Sequence, residues 1–272
     1  MRVLVPEAES IELAGPLAHY REHGYARIGR VIAEDFLAAL RARADELMLG
    51  QVAIPGLFFQ HDSDTGRYEE LAFGQGWVGP SLHYRKLEKL ERDGLFRAHL
   101  ENALFERLAK AVIGNEVSIY RSTLFNKAGC AEPEKGGGTV LPWHQDGGSY
   151  WGLDREPELQ IWTALDACTE EAGCVRLVPG SHAAGLATPL GGLIPGEVVA
   201  AERANERAIL VPAVSGEVLL IHNHLWHCSG VNRTPAPRRA FTVCYLNAAT
   251  RCLRRKRAPR EFVRVFGGAN AG

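Results

Sequence analysis

The sequence predicts a mainly β protein with flanking helices, in which the strands form a barrel or a double-sheet jelly roll. Two observations predict this fold class. From Glu116 onward, at least six short β-rich stretches alternate with Gly, Pro, Asn and Asp residues in a way that helices do not tolerate. The preceding third of the 272 residues instead carries apolar residues at helical spacing. We therefore expect N-terminal helices that pack on one β core.

We expect the N-terminal third of the chain to consist mainly of helices. They share an apolar face and a glycine directly after the last turn, and they cover residues 10–23, 35–49 and 95–113. Glycine suits that position because it adopts the left-handed conformation that closes many helices. A short strand is expected over residues 25–31, and a looser segment over residues 51–80.

The β core is expected between residues 116 and 250. Its candidate strands are short β-rich stretches separated by turn signals, and they cover residues 117–125, 159–165, 175–178, 208–211, 217–222 and 239–246. We interpret the whole chain, residues 1–272, as a single domain. In this interpretation residues 1–115 are a mainly helical support, and residues 251–272 are a C-terminal extension.

The composition and charge exclude several classes of protein. With 46% hydrophobic and 23% charged residues, the chain is expected to fold rather than to be disordered. The formal net charge of −1 provides no field that would attract nucleic acid or an anionic membrane. No apolar run approaches the roughly 20 residues needed to span a bilayer. We expect a cytoplasmic protein with reduced cysteines and a small-molecule partner; the sequence is silent on its oligomeric state.

The first chemical feature is the segment LPWHQDGGSYWG, which contains His144 and Asp146. In an extended strand, side chains two residues apart point to the same face. His144 and Asp146 can therefore offer one imidazole nitrogen and one carboxylate oxygen to a single metal ion. A His-x-Asp triplet alone is weakly specific, so this interpretation depends on a third ligand.

The second feature is the segment GEVLLIHNHLWHCSGVN, about 80 residues downstream, which contains His222, His224 and His227. Two histidines and one carboxylate form the facial triad of mononuclear non-haem Fe(II) oxygenases. One of the three histidines, on a strand adjacent to His144, would complete such a triad. For His222 and His224, a structural role in the core or at the surface is the favoured interpretation.

The third feature is Arg238, eleven residues after His227 and separated from it by the turn sequence GVNRTPAP. Alternation along a strand points Arg238 and Arg239 to opposite faces, so only one of them can enter the barrel. A buried guanidinium requires an anion, and a bidentate carboxylate matches its fork of donors. The alternative is an arginine at a strand end that stays solvated.

The fourth feature is the segment LQIWTALDACTEEAGCVRLVPGSH, which predicts a strand, a turn, a second strand and a tight Pro-Gly turn. Trp162 lies in its first strand, eighteen residues after His144. On its own, Trp162 is interpreted as a core tryptophan, and His182 as a structural histidine.

Together the four features resemble the phytanoyl-CoA dioxygenase family of Fe(II)- and 2-oxoglutarate-dependent oxygenases. The matching motifs keep their order and spacing over about half of the chain: WHQD at 143–146, WTALDACTEEAGCVRLVPGSH at 162–182, GEVLLIH at 216–222, and WHCSGVN followed by RRA at 226–240. The resemblance implies a double-stranded β-helix, the cupin-like jelly roll. It also implies that His144, Asp146 and His227 are the iron ligands, and that Gln145, His222 and His224 are not.

The resemblance further implies how the cosubstrate binds. Arg238 would bind the distal carboxylate of 2-oxoglutarate, Ser229 would add a hydrogen bond to that carboxylate, and Trp162 would line the pocket. With Fe(II), 2-oxoglutarate and O₂, the implied reaction is hydroxylation or another oxidation of an unactivated C–H bond, with release of succinate and CO₂. Halogenases on this scaffold replace the carboxylate ligand with a small residue, whereas Asp146 is intact here.

The substrate is less constrained than the cofactors. We expect a secondary or other small metabolite, and an acyl-CoA is the alternative within the same family. A cupin-like barrel that binds a ligand without turnover, and a metal enzyme independent of 2-oxoglutarate, are the alternatives outside it. A basic cluster near the C-terminus either meets an anionic carrier such as coenzyme A or forms a solvated face; it consists of Arg251, Arg254, Arg255, Lys256 and Arg257.

Overall fold

A computed structural model describes residues 1–132, 137–254 and 259–268 of the chain. Its α-helices are α1 (Ala14–His23), α2 (Glu34–Met48), α3 (Gly94–Leu100), α4 (Ala103–Ile113), α5 (Gly196–Ala201) and α6 (Ala204–Arg207). Its strands are β1 (Tyr25–Arg30), β2 (Phe58–His61), β3 (Tyr84–Glu88), β4 (Val117–Lys127), β5 (Leu141–Gln145), β6 (Leu159–Ala164), β7 (Val175–Leu177), β8 (Gly192–Leu193), β9 (Ile209–Val211), β10 (Glu217–His222), β11 (His227–Ser229), β12 (Arg238–Asn247) and β13 (Val263–Phe266).

The strands form two antiparallel sheets that face each other. In the described part of the chain, the larger sheet has the order β1-β10-β6-β12-β4-β3-β2, with β13 paired to β4, and the smaller has the order β8-β5-β11-β7-β9. Side chains from both sheets pack into one apolar cluster, in which Trp162 and Ile221 of the larger sheet meet Val175 and Leu177 of the smaller. This arrangement is the predicted double-stranded β-helix, a cupin-like jelly roll.

Helices of the N-terminal part of the chain, among them α2 and α4, cover the outer face of the larger sheet. Leu37 and Leu40 of α2 and Phe105 of α4 belong to the same buried cluster as Phe241 and Val243 of β12. The central strands are therefore buried on both faces, which explains why β12 reads as a nearly continuous apolar run. Within the described residues, no helix combines the length and the apolar character needed to cross a membrane.

One predicted helix is two helices in the structure. The periodicity over residues 95–113 is interrupted between α3 and α4, where Asn102 adopts an extended conformation. The Asn102 side chain accepts a hydrogen bond from the Phe105 backbone N at 3.0 Å, and its amide donates to the His99 carbonyl. Asn102 is thus an N-cap, which ends the first helical pattern and starts the second.

The prediction missed three strands of the larger sheet. Strand β2 lies within the segment expected to be loose, β3 follows that segment, and β13 lies in the C-terminal extension. Strand β3 pairs with β4, so the N-terminal third contributes strands to the core sheet as well as helices to its surface. The sequence YRKLE does not predict a strand, because Arg85 and Lys86 interrupt any apolar pattern. In the structure these two residues line the interior cavity rather than the apolar core.

Candidate active site

Two adjacent strands of the smaller sheet bring together His144, Asp146 and His227. His144 on β5 is the direct cross-strand partner of His227 on β11, and Asp146 follows the last residue of β5. One potential ligand atom from each residue lies within 4.8 Å of the other two. Among the described residues, this is the one group of His, Cys, Asp and Glu side chains with the geometry to hold a metal ion.

Hydrogen bonds orient both imidazoles in the same way. His144 Nδ1 lies 2.9 Å from the Pro142 carbonyl, and His227 Nδ1 lies 2.8 Å from the Leu225 carbonyl. Because a carbonyl can only accept, each Nδ1 carries the proton and donates it. The lone pair of each Nε2 is then free to bind a metal, as in most histidine metal sites.

The charge states of His144 and Asp146 also fit a metal. Burial and the neighbouring His227 lower the pKa of His144 to about 3, so that imidazole is neutral near pH 7. Burial alone would raise the pKa of Asp146, but His144, His227, Arg121 and the amide of Gln160 outweigh it and hold the pKa below its usual value. Gln160 Nε2 donates to Asp146 Oδ2 at 2.8 Å.

This donor set can hold a mononuclear Fe(II). Two neutral imidazole nitrogens and one carboxylate oxygen are the ligands of the facial triad, which leaves further coordination positions open to other molecules. The three side chains border a cavity of about 160 Å³ that lies between the two sheets. A metal bound there would therefore face an interior space.

Arg238 lines the same cavity and is 3% exposed. Its Nη2 donates to the Gly173 carbonyl at 2.9 Å, whereas its buried Nε has no hydrogen-bond partner. The adjacent Arg239 points to the opposite face, where its guanidinium binds Asp166 at 2.7 Å and Asp45 at 2.8 Å. Strand alternation thus separates the pair as expected, and the arginine that enters the barrel has no anionic partner in the described parts of the chain.

Ser229 and Trp162 also line this cavity. Ser229 lies on β11, two residues after His227, and it is buried. Trp162 lies on β6 with Thr242 of β12 as its cross-strand partner. Both side chains are therefore available to a molecule that occupies the space between His227 and Arg238.

His222, His224 and Gln145 lie outside the triad. The His222 ring packs 4.9 Å from that of His182, and burial lowers the pKa of His222 to about 3. His224 Nε2 lies 3.5 Å from a carboxylate oxygen of Glu156. The Gln145 amide donates to the His224 carbonyl at 2.6 Å, which directs it away from the metal site. The structural interpretation of the two histidines agrees with these contacts.

Sequence reasoning missed several side chains that line the cavity: Tyr68, Arg85, Lys86, Arg121, Phe125, Lys127 and Gln160. Part of this set had a readable signal, because Arg121, Phe125 and Lys127 lie on β4 at even spacing from one another and so share a face. Tyr68 had none, since it lies in the segment expected to be loose.

Two tryptophans that flank the metal motif, and Arg251 of the basic cluster, do not line this cavity. Trp143 packs in a separate apolar cluster, and Trp151 stacks on Tyr120 with ring centroids 4.3 Å apart. In the basic cluster, Arg251 pairs with Asp154 at 2.9 Å. Residues 255–257, which complete that cluster, lie outside the described residues.

Comparison with known sequences identifies relatives of the chain. Residues 20–240 match the family described as phytanoyl-CoA dioxygenase (PhyH). A phytanoyl-CoA dioxygenase of Arabidopsis thaliana is 25% identical over 258 residues, which cover 84% of this chain and 86% of that protein. Phytanoyl-CoA dioxygenase domain-containing protein 1 of Bos taurus is 31% identical over 120 residues, which cover 42% of this chain and 41% of the relative. The chain thus matches about two fifths of the length of the bovine relative.

Comparison with solved structures finds the same fold. EctD from S. alaskensis, with 2-oxoglutarate and 5-hydroxyectoine, is 23% identical and has a TM-score of 0.67 over 89% of this chain and 78% of its own. The α-ketoglutarate-dependent carbocyclase SnoK from nogalamycin biosynthesis is 21% identical, with a TM-score of 0.67 over 95% and 98% of the two chains. At these identities the likeness establishes the fold.

Proposed function

The chain belongs to the phytanoyl-CoA dioxygenase family, and we propose that it is an Fe(II)- and 2-oxoglutarate-dependent dioxygenase. Its proposed reaction is hydroxylation, or another oxidation, of an unactivated C–H bond in a small organic substrate. A secondary or other small metabolite, processed in the cytoplasm, is the substrate we favour. The observation that carries the proposal is a facial triad and a buried, unpaired guanidinium in one cavity.

His144, Asp146 and His227 would hold the iron. The ionised carboxylate of Asp146 would neutralise half of the 2+ charge of the iron, and the amide of Gln160 would fix the orientation of that carboxylate. When bound, iron and 2-oxoglutarate supply the oxidising power: 2-oxoglutarate and O₂ become succinate and CO₂, and one oxygen atom of O₂ is transferred to the substrate.

Arg238 would bind the distal carboxylate of 2-oxoglutarate. Its buried Nε has no hydrogen-bond partner among the residues that the structure describes, and a carboxylate would supply one. Ser229 would donate a second hydrogen bond to that carboxylate, and Trp162 would exclude water from the pocket. In a cavity poor in water such contacts orient the cosubstrate more strongly than they would in solution.

Solved relatives of the fold support this assignment in general terms. EctD has been solved with 2-oxoglutarate, and SnoN and SnoK are described as α-ketoglutarate-dependent enzymes. SnoN is an epimerase and SnoK a carbocyclase, so the fold supports more than one oxidative outcome. For this chain, the intact Asp146 favours hydroxylation over halogenation.

Anaerobic spectroscopy tests the proposal. We expect the addition of Fe(II) and 2-oxoglutarate to the metal-free protein to produce a weak visible charge-transfer band, which requires bidentate chelation of the iron. His227→Ala should abolish this band. His222→Ala is the matched control, because His222 is a half-buried histidine five residues away that lies outside the triad, and this variant should retain the band.

Two outcomes would contradict the proposal. Absence of the band in folded, Fe(II)-loaded protein would favour a barrel that binds its ligand without turnover. The second outcome is a band that forms without any succinate release once air is admitted, whether or not a panel of small metabolites is added. This outcome would also favour a barrel that binds its ligand without turnover.

A further inference from the structure

The cavity beside the triad contains more positive charge than its own carboxylates neutralise. Five basic residues line it: Arg85, Lys86, Arg121, Lys127 and Arg238. Two of them share one acid, since Lys86 Nζ lies 2.5 Å and Arg121 Nη1 lies 3.9 Å from Glu88 Oε1. Arg121 also packs 4.5 Å from the centroid of the Trp151 ring. These two cations therefore have partners within the protein.

Lys127 and Arg238 lie beside each other at paired positions of β4 and β12. Lys127 Nζ donates to the Thr139 carbonyl at 2.7 Å, and neither cation forms an ion pair with a carboxylate of the described residues. Burial and the adjacent charge of Arg238 lower the pKa of Lys127. One carboxylate would serve both cations, and in the proposed function the distal carboxylate of 2-oxoglutarate is that group.

Arg85 is the remaining cation, and it lies on a different strand. It belongs to β3, which is separated from β12 by β4. Neighbouring strands lie about 4.8 Å apart, so two spacings, roughly 10 Å, separate the strand of Arg85 from that of Arg238. A carboxylate held by Arg238 and Lys127 is therefore expected to leave the Arg85 side of the cavity open.

Arg85 forms no direct ion pair with the carboxylates that the structure describes, although the charge of Asp62 acts on it from a distance. Arg85 is 9% exposed, its Nη1 donates to Gln60 Oε1 at 3.0 Å, and its guanidinium lies 5.8 Å from the centroid of the Tyr68 ring. Asp62, whose charge acts on Arg85, instead accepts a hydrogen bond from the Thr139 backbone N at 3.0 Å.

An unpaired buried guanidinium is costly for the folded protein, because a low-polarity environment disfavours an isolated charge. Burial accordingly lowers the pKa of Arg85. A guanidinium retains its proton under these conditions, so an anion that enters the cavity would compensate its charge. The Gln60 contact uses one of its donors, and the rest can bind a ligand.

We propose that the substrate carries an anionic group, a carboxylate, phosphate or sulfate, and that Arg85 binds this group within the cavity. The inference rests on the proposed function, and it names the substrate class for that site. Gln60 is a positioning residue that orients the guanidinium, and Tyr68 covers one side of it. The metal triad and Arg85 would together determine which C–H bond of the substrate faces the iron.

Titration with inorganic sulfate tests the anion site. In protein loaded anaerobically with Fe(II) and saturating 2-oxoglutarate, the cosubstrate already occupies Arg238. Added sulfate therefore reports on the other basic side chains of the cavity. In calorimetry, we expect the Kd for sulfate of the Arg85→Gln variant to be about tenfold higher than that of the wild type, or more. The Kd for 2-oxoglutarate should change by less than about threefold. Parallel titrations with phosphate and with acetate identify whether the site prefers a tetrahedral anion or a carboxylate.

Arg121→Gln is the matched control, because Arg121 is a cation of the same cavity that has protein partners. We expect it to weaken sulfate binding less than Arg85→Gln does. Equal weakening by the two variants would show a general electrostatic field and overturn the assignment to Arg85. Loss of 2-oxoglutarate binding rather than sulfate binding in Arg85→Gln would also overturn it.

Thermal unfolding separates ligand binding from a structural role. Removal of an unpaired buried charge should leave the Tm of Arg85→Gln at or above that of the wild type. Sulfate should raise the Tm of the wild type and not that of the variant. A structural arginine would show a lower Tm in the variant and no dependence on sulfate, which would overturn the inference.

The two proposals can fail separately. Repeating the sulfate titration on metal-free protein shows whether the anion site exists without the cofactors. Sulfate binding that depends on Arg85, in a protein without the charge-transfer band, would contradict the proposed function alone. The band without Arg85-dependent sulfate binding would overturn the anion site alone.

Discussion

His144 and His227 are cross-strand partners whose ring centroids lie 4.0 Å apart, and each donates its Nδ1 proton to the carbonyl two residues earlier in the chain. The two strands thus present two equivalent Nε2 atoms from the same end of the smaller sheet. Backbone pairing, rather than a flexible side-chain network, sets the separation of the two imidazoles. Asp146, one residue beyond β5, completes the group from the same side.

Gln160 is predicted to tune the metal site through Asp146. Gln160→Leu removes the hydrogen bond to Asp146 Oδ2, and it should lower the affinity for Fe(II) by about tenfold or more because the carboxylate loses its orientation. Titration with Fe(II) under anaerobic conditions measures this affinity. Gln145→Leu is the control, since Gln145 bonds to backbone carbonyls outside the cavity; an equal loss of affinity there would contradict the role of Gln160.

The adjacent arginines Arg238 and Arg239 are predicted to give opposite phenotypes. Arg238→Gln should raise the apparent KM for 2-oxoglutarate by about thirtyfold or more, far more than that for substrate, because a charge-assisted contact is lost. The apparent KM for 2-oxoglutarate is measured from the succinate that is released without substrate. Equal effects on both Michaelis constants would exclude the assignment of Arg238 to the cosubstrate.

Arg239→Gln should instead destabilise the fold. Arg239 is buried and binds Asp166 and Asp45, and its removal leaves Asp166 without its counter-charge. Breaking such a pair costs about 3 kcal/mol in the free energy of unfolding. Urea denaturation measures the change, while the KM for 2-oxoglutarate of the folded variant should stay within about twofold of the wild type. A raised KM with unchanged stability would reverse the two roles.

His99 is predicted to make the stability depend on pH. Burial lowers the pKa of His99 to about 3, below the value near 6.5 of an unfolded chain, so between these pH values the unfolded state binds a proton that the folded state does not. The free energy of unfolding should therefore fall as pH decreases through this window, by up to about 1.4 kcal/mol per pH unit for this residue. Its contribution should be absent above the window.

Urea denaturation of His99→Gln between pH 7 and pH 5 tests this prediction. The pH dependence of the variant should be shallower than that of the wild type by up to one proton. His83→Gln is the control, since His83 is exposed and should leave the slope as it is. A wild-type slope in His99→Gln would assign the pH dependence to other groups.

Asn102 is predicted to stabilise the junction between α3 and α4. Asn102→Ala removes the cap on the Phe105 backbone N and should lower the free energy of unfolding by about 1–2 kcal/mol. Denaturant unfolding measures the loss, with Asn102→Ser as the variant that retains a capping acceptor and should lose less stability. Equal losses in the two variants would indicate that the cap is not the cause.

Much of the core was predictable from local patterns. The strands expected at 217–222 and 239–246 correspond to β10 and β12, because buried apolar residues and turn residues mark their ends in the chain. The spacing of His144 and Asp146 likewise implied a shared face, since two residues make one strand period. Which of the three downstream histidines joins them depends on strand pairing, so it needed the family resemblance or the structure.

The charged wall of the cavity could not be read from the sequence. Arg85 and Lys127 lie 42 positions apart in the sequence. They line the same cavity only because β3 pairs with β4. In the chain, the run YRKLE has the composition of a solvated surface segment. A charged side chain is solvated at little free-energy cost in water, whereas inside a barrel it requires a partner. The same residue types therefore have a different role when the fold buries them.

The sequence by itself determined the family, through motifs that match it in order and spacing, and this resemblance implied the jelly roll. It also determined the residues suited to a metal, because these depend on residue type and on the period of two along a strand. Only the tertiary structure decided that, within the described residues, Arg238 forms no ion pair whereas Arg239 does, and that Arg85 lines the same cavity as Arg238. Those properties depend on which distant groups lie nearby. The local sequence sets the direction of a side chain, and the packing of the two sheets sets its partners.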